Sequence, residues 1–124
     1  MLKERKIGKD KFYLVARSWS NSRAWGHECD LYWGADCIVQ TSRMRYYNRT
    51  WERWQYQSVM IQCLEDYIQK KTEWHENYYK DKHNIKRMTK EKRAEFEKWF
   101  KEQRAYAVLN SLKRWKKELM GQND

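Results

Sequence analysis

The chain has 124 residues and carries 27 Lys and Arg side chains against 17 Asp and Glu, a formal net charge of +10 at pH 7. That length predicts one domain, and the charge favours acidic partners such as nucleic acid, an acidic protein surface or an anionic membrane. With 40% hydrophobic and 16% aromatic residues, the chain has enough apolar surface for a core, which argues against a disordered protein.

The first 47 residues predict a basic arm followed by a small sheet. Residues 1–10 are rich in lysine and arginine and predict a flexible basic arm. Residues 11–47 predict a three-stranded antiparallel meander, because turn residues separate segments that are rich in aromatic and β-branched residues. Within the middle strand, every second residue from Trp25 to Trp33 is predicted to face the core.

The remaining sequence predicts two long helices. Apolar residues at three- and four-residue steps predict a helix over residues 50–79, with Trp54, Ile61 and Leu64 in the core. Thr89 is the candidate N-cap of a second helix over residues 89–120. The predicted fold class is therefore α+β, a three-stranded antiparallel meander followed by two long α-helices, in a single domain.

The segment that joins the sheet to the first helix interleaves arginines with aromatic rings. Guanidinium groups pair with phosphates, and aromatic rings stack on bases. We therefore predict that this segment binds nucleic acid or an acidic partner through Arg43, Arg45, Tyr47, Arg49 and Arg53. In a strand, Arg43, Arg45 and Tyr47 share one face. The alternative is that the rings are core residues and the arginines are solvated.

The end of the second helix carries another predicted contact. Lys113, Lys116 and Lys117 lie on one helical side at three- and four-residue spacing, beside Arg114. The alternative is a solvated helix face whose cations interact with the negative end of the helix dipole.

The apolar stripe of the second helix is long for the surface available to cover it. Three short strands and one helix offer a limited area, so part of the stripe is expected to stay uncovered. We predict that Leu112, Trp115 and Leu119 pack on a second copy of the chain, as a homodimer, or on the target. In the alternative, the two helices form an antiparallel hairpin that buries the stripe internally.

Metal binding and catalysis have weaker sequence signals. His27, Cys29 and Cys37 could supply three ligands from adjacent strands, but no fourth ligand at a zinc-site spacing is evident, so we predict no metal and no cofactor. No nucleophile motif or glycine-rich phosphate loop is present, so we predict that the protein is not an enzyme. The odd number of cysteines and the absence of a secretory leader predict a cytoplasmic protein. No apolar run approaches the ~20 residues of a membrane span, so no membrane partner is predicted.

Residues 46–59 (YYNRTWERWQYQSV) resemble a segment of small uncharacterised proteins from phages and mobile elements of Gram-positive bacteria. The resemblance covers this segment and, loosely, the hairpin before it. It implies a bacterial host cell and a phage accessory role, such as the anti-CRISPR inhibition of a host defence nuclease. It transfers no functional residue.

The leading hypothesis is a non-catalytic basic binding protein that engages nucleic acid or a host nucleoprotein complex. A second hypothesis is a protein-only inhibitor or adaptor that docks through its C-terminal aromatic helix. A third is a small nuclease that uses Glu28, Asp30 and Asp36. Salt separates the first two hypotheses, because phosphate binding weakens more steeply with ionic strength than an aromatic interface does.

Overall fold

A computed structural model describes residues 1–46 and 56–121, with the backbone alone at Arg45 and Tyr46. Within these residues the fold is α+β, as predicted, with one sheet followed by helices. The sheet has four strands rather than three, and the helices number three rather than two. In chain order the elements are β1 (Leu2–Ile7), β2 (Asp10–Ser20), β3 (Ala24–Trp33), β4 (Asp36–Tyr46), α1 (Tyr56–Lys82), α2 (Lys90–Lys101) and α3 (Arg104–Gly121).

The prediction of a flexible arm over residues 1–10 is wrong, because β1 forms an edge of the sheet. It pairs antiparallel with β2, from Leu2 opposite Val15 to Ile7 opposite Asp10. Arg5 forms an ion pair with Glu118 on α3 and lies 5.9 Å from the ring centroid of Trp115. Backbone pairing with β2 and the contacts of Arg5 with α3 therefore order this segment.

The sheet is an antiparallel meander with strand order β1-β2-β3-β4. Alternation in β3 follows the prediction, because Cys29 and Leu31 face the core and are fully buried. Cross-strand neighbours on β2, Ala16 and Leu14, lie on the same face. The other face of the sheet is covered by no helix in the described residues, and Met44 there is 45% exposed.

The turn between β3 and β4 determines which face of the sheet Cys37 occupies. Gly34, with φ 61°, begins a two-residue turn that pairs Trp33 with Asp36 and Tyr32 with Cys37. Positive φ is favourable for glycine because it has no Cβ. Cys37 therefore lies on the opposite face of the sheet from Cys29.

Helix α1 crosses β2, β3 and β4 and forms the centre of the core. Its fully buried residues are Val59, Met60, Cys63 and Leu64, of which Leu64 is a predicted core residue. Ile61 is only half-buried, and Trp54 lies outside the described residues. The helix continues to Lys82 and ends as Asn84 adopts a φ of 52°, where Ile85 N–H donates to the Lys80 carbonyl.

The second predicted helix is two helices, α2 and α3, separated at Glu102 and Gln103. Thr89 caps α2 as predicted, and its hydroxyl accepts from Lys92 N–H. In an unbroken helix, Gln103 and Ala107 would lie on the same side as the buried Phe100. The break changes the phase, so that α3 buries Val108 and Leu109 instead.

The expectation that the end of the apolar stripe stays uncovered is wrong. Leu112, Trp115 and Leu119 are 0, 4 and 1% exposed, within a core shared with α1 and the sheet. The fourth strand explains the difference, because β1 widens the sheet and reaches α3. These three side chains therefore belong to the intramolecular core, as in the internal alternative.

Candidate functional site

The structure describes only part of the arginine segment predicted as the main contact. Tyr47, Arg49 and Arg53 lie outside the described residues, and Arg45 is described by its backbone alone. Arg43 pairs with His27 across the strands, which places Arg43 on the α1 side of the sheet. Arg43 is half-buried there and donates from Nη1 to the Ser58 hydroxyl at 2.9 Å. Arg43 therefore links the sheet to α1 rather than lining an open surface.

The basic residues of α3 remain at the surface, but they do not act as one group. Lys116 lies 3.5 Å from a Glu65 carboxylate oxygen on α1 and is half-buried. Lys113, Arg114 and Lys117 are exposed, and we call these three residues the α3 basic patch. This α3 basic patch is separated from the aromatic surface described next, because Glu65 and Trp74 are nine residues apart, or about 14 Å along α1.

Three aromatic rings stack side by side where α1 packs on α2. Trp74 and Tyr78, one turn apart on α1, have ring centroids 5.6 Å apart and planes within 9°. Tyr78 and Trp99 on α2 follow at 6.1 Å and 20°. Trp74 is 54% exposed and Tyr78 is 45% exposed, although rings of this size usually mark core or interface positions. Trp74 and Tyr78 therefore present aromatic surface to solvent, whereas Trp99 is half-buried.

Lysine side chains flank both exposed rings. Lys71 Nζ lies 4.8 Å from the Trp74 ring centroid, and Lys82 Nζ lies 6.0 Å from that of Tyr78. These are cation–π distances, which hold each ammonium group beside a ring. We call the five residues Lys71, Trp74, Tyr78, Lys82 and Trp99 the stacked-ring surface. It combines stacking faces with positive charge, the two features that single-stranded nucleic-acid sites share.

A cleft opens beside the stacked-ring surface, between α1, α3 and the β3–β4 end of the sheet. One part, about 240 Å³, is lined by Trp33, Tyr67, Lys71 and Arg104. A second part, about 300 Å³, shares Trp33, Tyr67 and Lys71 and reaches Trp74. We call the two parts together the Trp33 cleft. Burial raises the pKa of Tyr67, so its hydroxyl stays protonated at neutral pH.

The two cations of the Trp33 cleft differ in their surroundings. The Lys71 side chain is half-buried between the two parts. The Lys71 backbone carbonyl oxygen lies 2.8 Å from His75 Nδ1. Because a carbonyl oxygen can only accept, Nδ1 is the ring nitrogen that donates the proton. The Arg104 side chain is 82% exposed and is 3.4 Å from the Asp10 carboxylate. An ion pair this exposed is weak, so the guanidinium can exchange Asp10 for another anion.

The cysteine and histidine positions do not assemble a metal site. Cys29 is buried, and its carbonyl accepts from the Cys63 thiol on α1, whose pKa is raised by hydrogen bonding to Cys29 and by burial. Cys37 is exposed on the opposite face of the sheet. Over residues 1–46 and 56–121, no three His, Cys, Asp or Glu side chains are grouped to hold a metal ion.

The carboxylates considered for a nuclease site contact an arginine. Arg17 donates from Nε to Glu28 at 2.6 Å and from Nη1 to Asp30 at 2.9 Å, and these bonds raise the pKa of Arg17. Asp36 lies exposed at the β3–β4 turn. A carboxylate pair that shares one guanidinium has less negative charge to offer a catalytic cation.

The stacked-ring surface was missed at the sequence level, although its signal is visible there. Lys71, Trp74, Tyr78 and Lys82 recur at steps of three, four and four residues, which place them in one row on a helix. We assigned binding instead to the arginine-rich segment that joins the sheet to the first helix. Trp99 and Arg104 join the site only through tertiary packing.

No protein-family model, curated protein sequence or solved structure matches this chain. In the part of the chain that the structure describes, no helix has the length and apolar character to cross a membrane.

Proposed function

We propose that this protein is a non-catalytic binding protein for single-stranded nucleic acid, and that the stacked-ring surface is its principal contact. The observation that carries the proposal is the exposed, nearly parallel stack of Trp74 and Tyr78 with a lysine beside each ring. Bases stack on such rings whatever their sequence, and the lysines attract the phosphates between them.

The net charge of +10 supports the same proposal, because it draws a polyanion toward the whole molecule. The α3 basic patch adds a second source of attraction that does not depend on base identity. A host nucleoprotein in the bacterial cytoplasm, as the phage resemblance implies, would present the same chemistry through its exposed RNA or DNA. The adaptor hypothesis has lost its supporting feature, since the stripe of α3 that would dock is buried.

The test is the salt dependence of binding to a single-stranded oligonucleotide. For single strands, the slope of log affinity against log salt changes by about 0.7 for each phosphate contact. We expect Lys71→Gln combined with Lys82→Gln to weaken binding and to flatten the slope by about 1.4, which corresponds to two contacts.

The matched control is Lys113→Gln combined with Lys117→Gln, which removes the same charge from the α3 basic patch. We expect it to change the slope less than the Lys71 and Lys82 pair does. A slope unchanged by the Lys71 and Lys82 pair would contradict the proposal. Equal affinity for blunt duplex and single strand would also contradict it, since duplex bases cannot stack on the rings.

A further inference from the structure

We propose that the Trp33 cleft binds one nucleoside 5′-monophosphate unit, with its base against Trp33 and Tyr67 and its phosphate at Arg104 and Lys71. The inference rests on the proposed function and deepens it, because it assigns a defined single-nucleotide site beside a surface that stacks bases without discrimination.

The size and walls of the cleft suit one planar ring system. Its parts measure about 240 and 300 Å³, at or below the lower end of the range for small-molecule sites. Trp33 and Tyr67 contribute aromatic faces, and Val108 and Leu109 close the inner side. A base satisfies such apolar, aromatic walls, whereas a bare phosphate ion would not.

The charges of the cleft suit a phosphate. Lys71 and Arg104 both line the 240 Å³ part, and Lys70 lines the other. The guanidinium group of Arg104 has N–H donors in a planar arrangement that can bond two phosphate oxygens at once. Asp10, at 3.4 Å from Arg104, is the carboxylate that a bound phosphate must displace.

The cleft is continuous with the stacked-ring surface, because Lys71 lines the cleft and also lies over the Trp74 ring. A nucleotide in the cleft would therefore be followed by bases on the ring stack. A nucleoside 5′-monophosphate group can come from a free mononucleotide or from the 5′-phosphorylated end of a strand. The experiment below separates these two sources.

The test measures binding of adenosine 5′-monophosphate, adenosine and inorganic phosphate by titration calorimetry. Ala105 lines the cleft, so Ala105→Phe should fill it. Ala107 is exposed two residues further along α3 and lines neither part, so Ala107→Phe is the matched control. We expect the monophosphate to bind wild type at least tenfold more tightly than either fragment, and we expect Ala105→Phe but not Ala107→Phe to abolish this preference.

If Ala105→Phe fails to fold, the monophosphate affinities of two surface variants test the proposal instead. Arg104→Gln should weaken monophosphate binding about tenfold, as the loss of a charged hydrogen-bond donor does. Asp10→Asn should strengthen it, because it releases Arg104. Monophosphate affinity that is unchanged in Arg104→Gln, or phosphate binding as tight as the monophosphate, would overturn the proposal.

Oligonucleotide binding distinguishes this proposal from the proposed function. A 5′-phosphorylated strand that binds more tightly than its 5′-hydroxyl counterpart supports a strand end as the source, and equal strand affinities with monophosphate binding support a free nucleotide. Strand binding without any monophosphate binding would overturn the cleft site alone. Monophosphate binding without strand binding would overturn the proposed function alone.

Discussion

His27 holds a buried side-chain atom, Nδ1, that has no hydrogen-bond partner in the described part of the chain. Its ring is 8% exposed and packs edge-on against Trp25 and Tyr56. Burial lowers the pKa of His27, because it disfavours the charged imidazolium. Below the unfolded pKa of about 6.5, the unfolded chain therefore binds a proton that the folded chain does not.

We predict that His27→Phe reduces the loss of stability at mildly acidic pH. As pH falls from about 7 to 5.5, the wild type should lose free energy of unfolding with a contribution from His27 of at most about 1.4 kcal/mol per pH unit. Phe keeps the edge-on packing and removes the unpaired nitrogen. Urea unfolding of wild type and His27→Phe at each pH measures the slope. A His27→Phe slope equal to wild type would contradict the assignment.

Gly26 occupies a position where a side chain has no room. A Cβ there would collide with the Arg43 carbonyl oxygen across the strand pair and lie 2.9 Å from the Trp19 ring. We predict that Gly26→Ala destabilises the fold by about 1–3 kcal/mol, the usual cost of overpacking. Gly121→Ala, with nothing within 4 Å of its Cβ, should leave the melting temperature nearly unchanged. Equal melting temperatures for the two variants would show that the strands separate at little cost.

At the scale of whole elements, α3 acts as a core helix. We predict that Leu112→Ala costs about 2–5 kcal/mol of unfolding free energy, as removal of a fully buried leucine side chain does. Met120→Ala, at a 49% exposed position on the same helix, should stay within about 0.5 kcal/mol of wild type. Chemical denaturation measures both variants. A Leu112→Ala protein as stable as wild type that changes its oligomeric state would instead support the interface originally predicted.

The elements that were predictable are those whose periodicity is local. Alternation in β3 and the Thr89 cap follow from residue spacing, whereas α1 buries Leu64 with Val59, Met60 and Cys63 rather than with Ile61. Strand β1 was not predictable in this way, because its charged residues resemble a solvated tail until Arg5 meets Glu118 across 113 positions. The break at Glu102 and Gln103 was also missed, because neither proline nor glycine marks it and packing of both helices on α1 sets its phase.

The candidate site shows the same division. The row from Lys71 to Lys82 could be read from helical spacing, whereas the approach of Trp99 and Arg104 depends on the tertiary fold. We predicted an open surface at the arginine-rich segment that joins the sheet to the first helix. Alternation shows which residues of a strand share a face, but it does not show which face a helix covers. Arg43, bonded to Ser58, shows this limit.

For the molecule as a whole, the proposed function assigns the attraction of a polyanion to the +10 charge and the selection of unpaired bases to the exposed rings. Binding would therefore have a long-range part that depends on salt and a contact part that depends on aromatic faces. Only the second part distinguishes the stacked-ring surface from an ordinary basic surface, so it is the central claim.

The most direct measurement is the dissociation constant for a 5′-hydroxyl oligothymidylate of about twelve nucleotides at one fixed salt concentration. We compare Trp74→Phe, which keeps an aromatic face, with Trp74→Leu, which keeps apolar bulk without one. Stacking contributes about 1–3 kcal/mol per base, so Trp74→Leu should weaken binding by about 5- to 150-fold while Trp74→Phe stays close to wild type. Equal affinities for the two variants would contradict the claim that this surface binds by stacking.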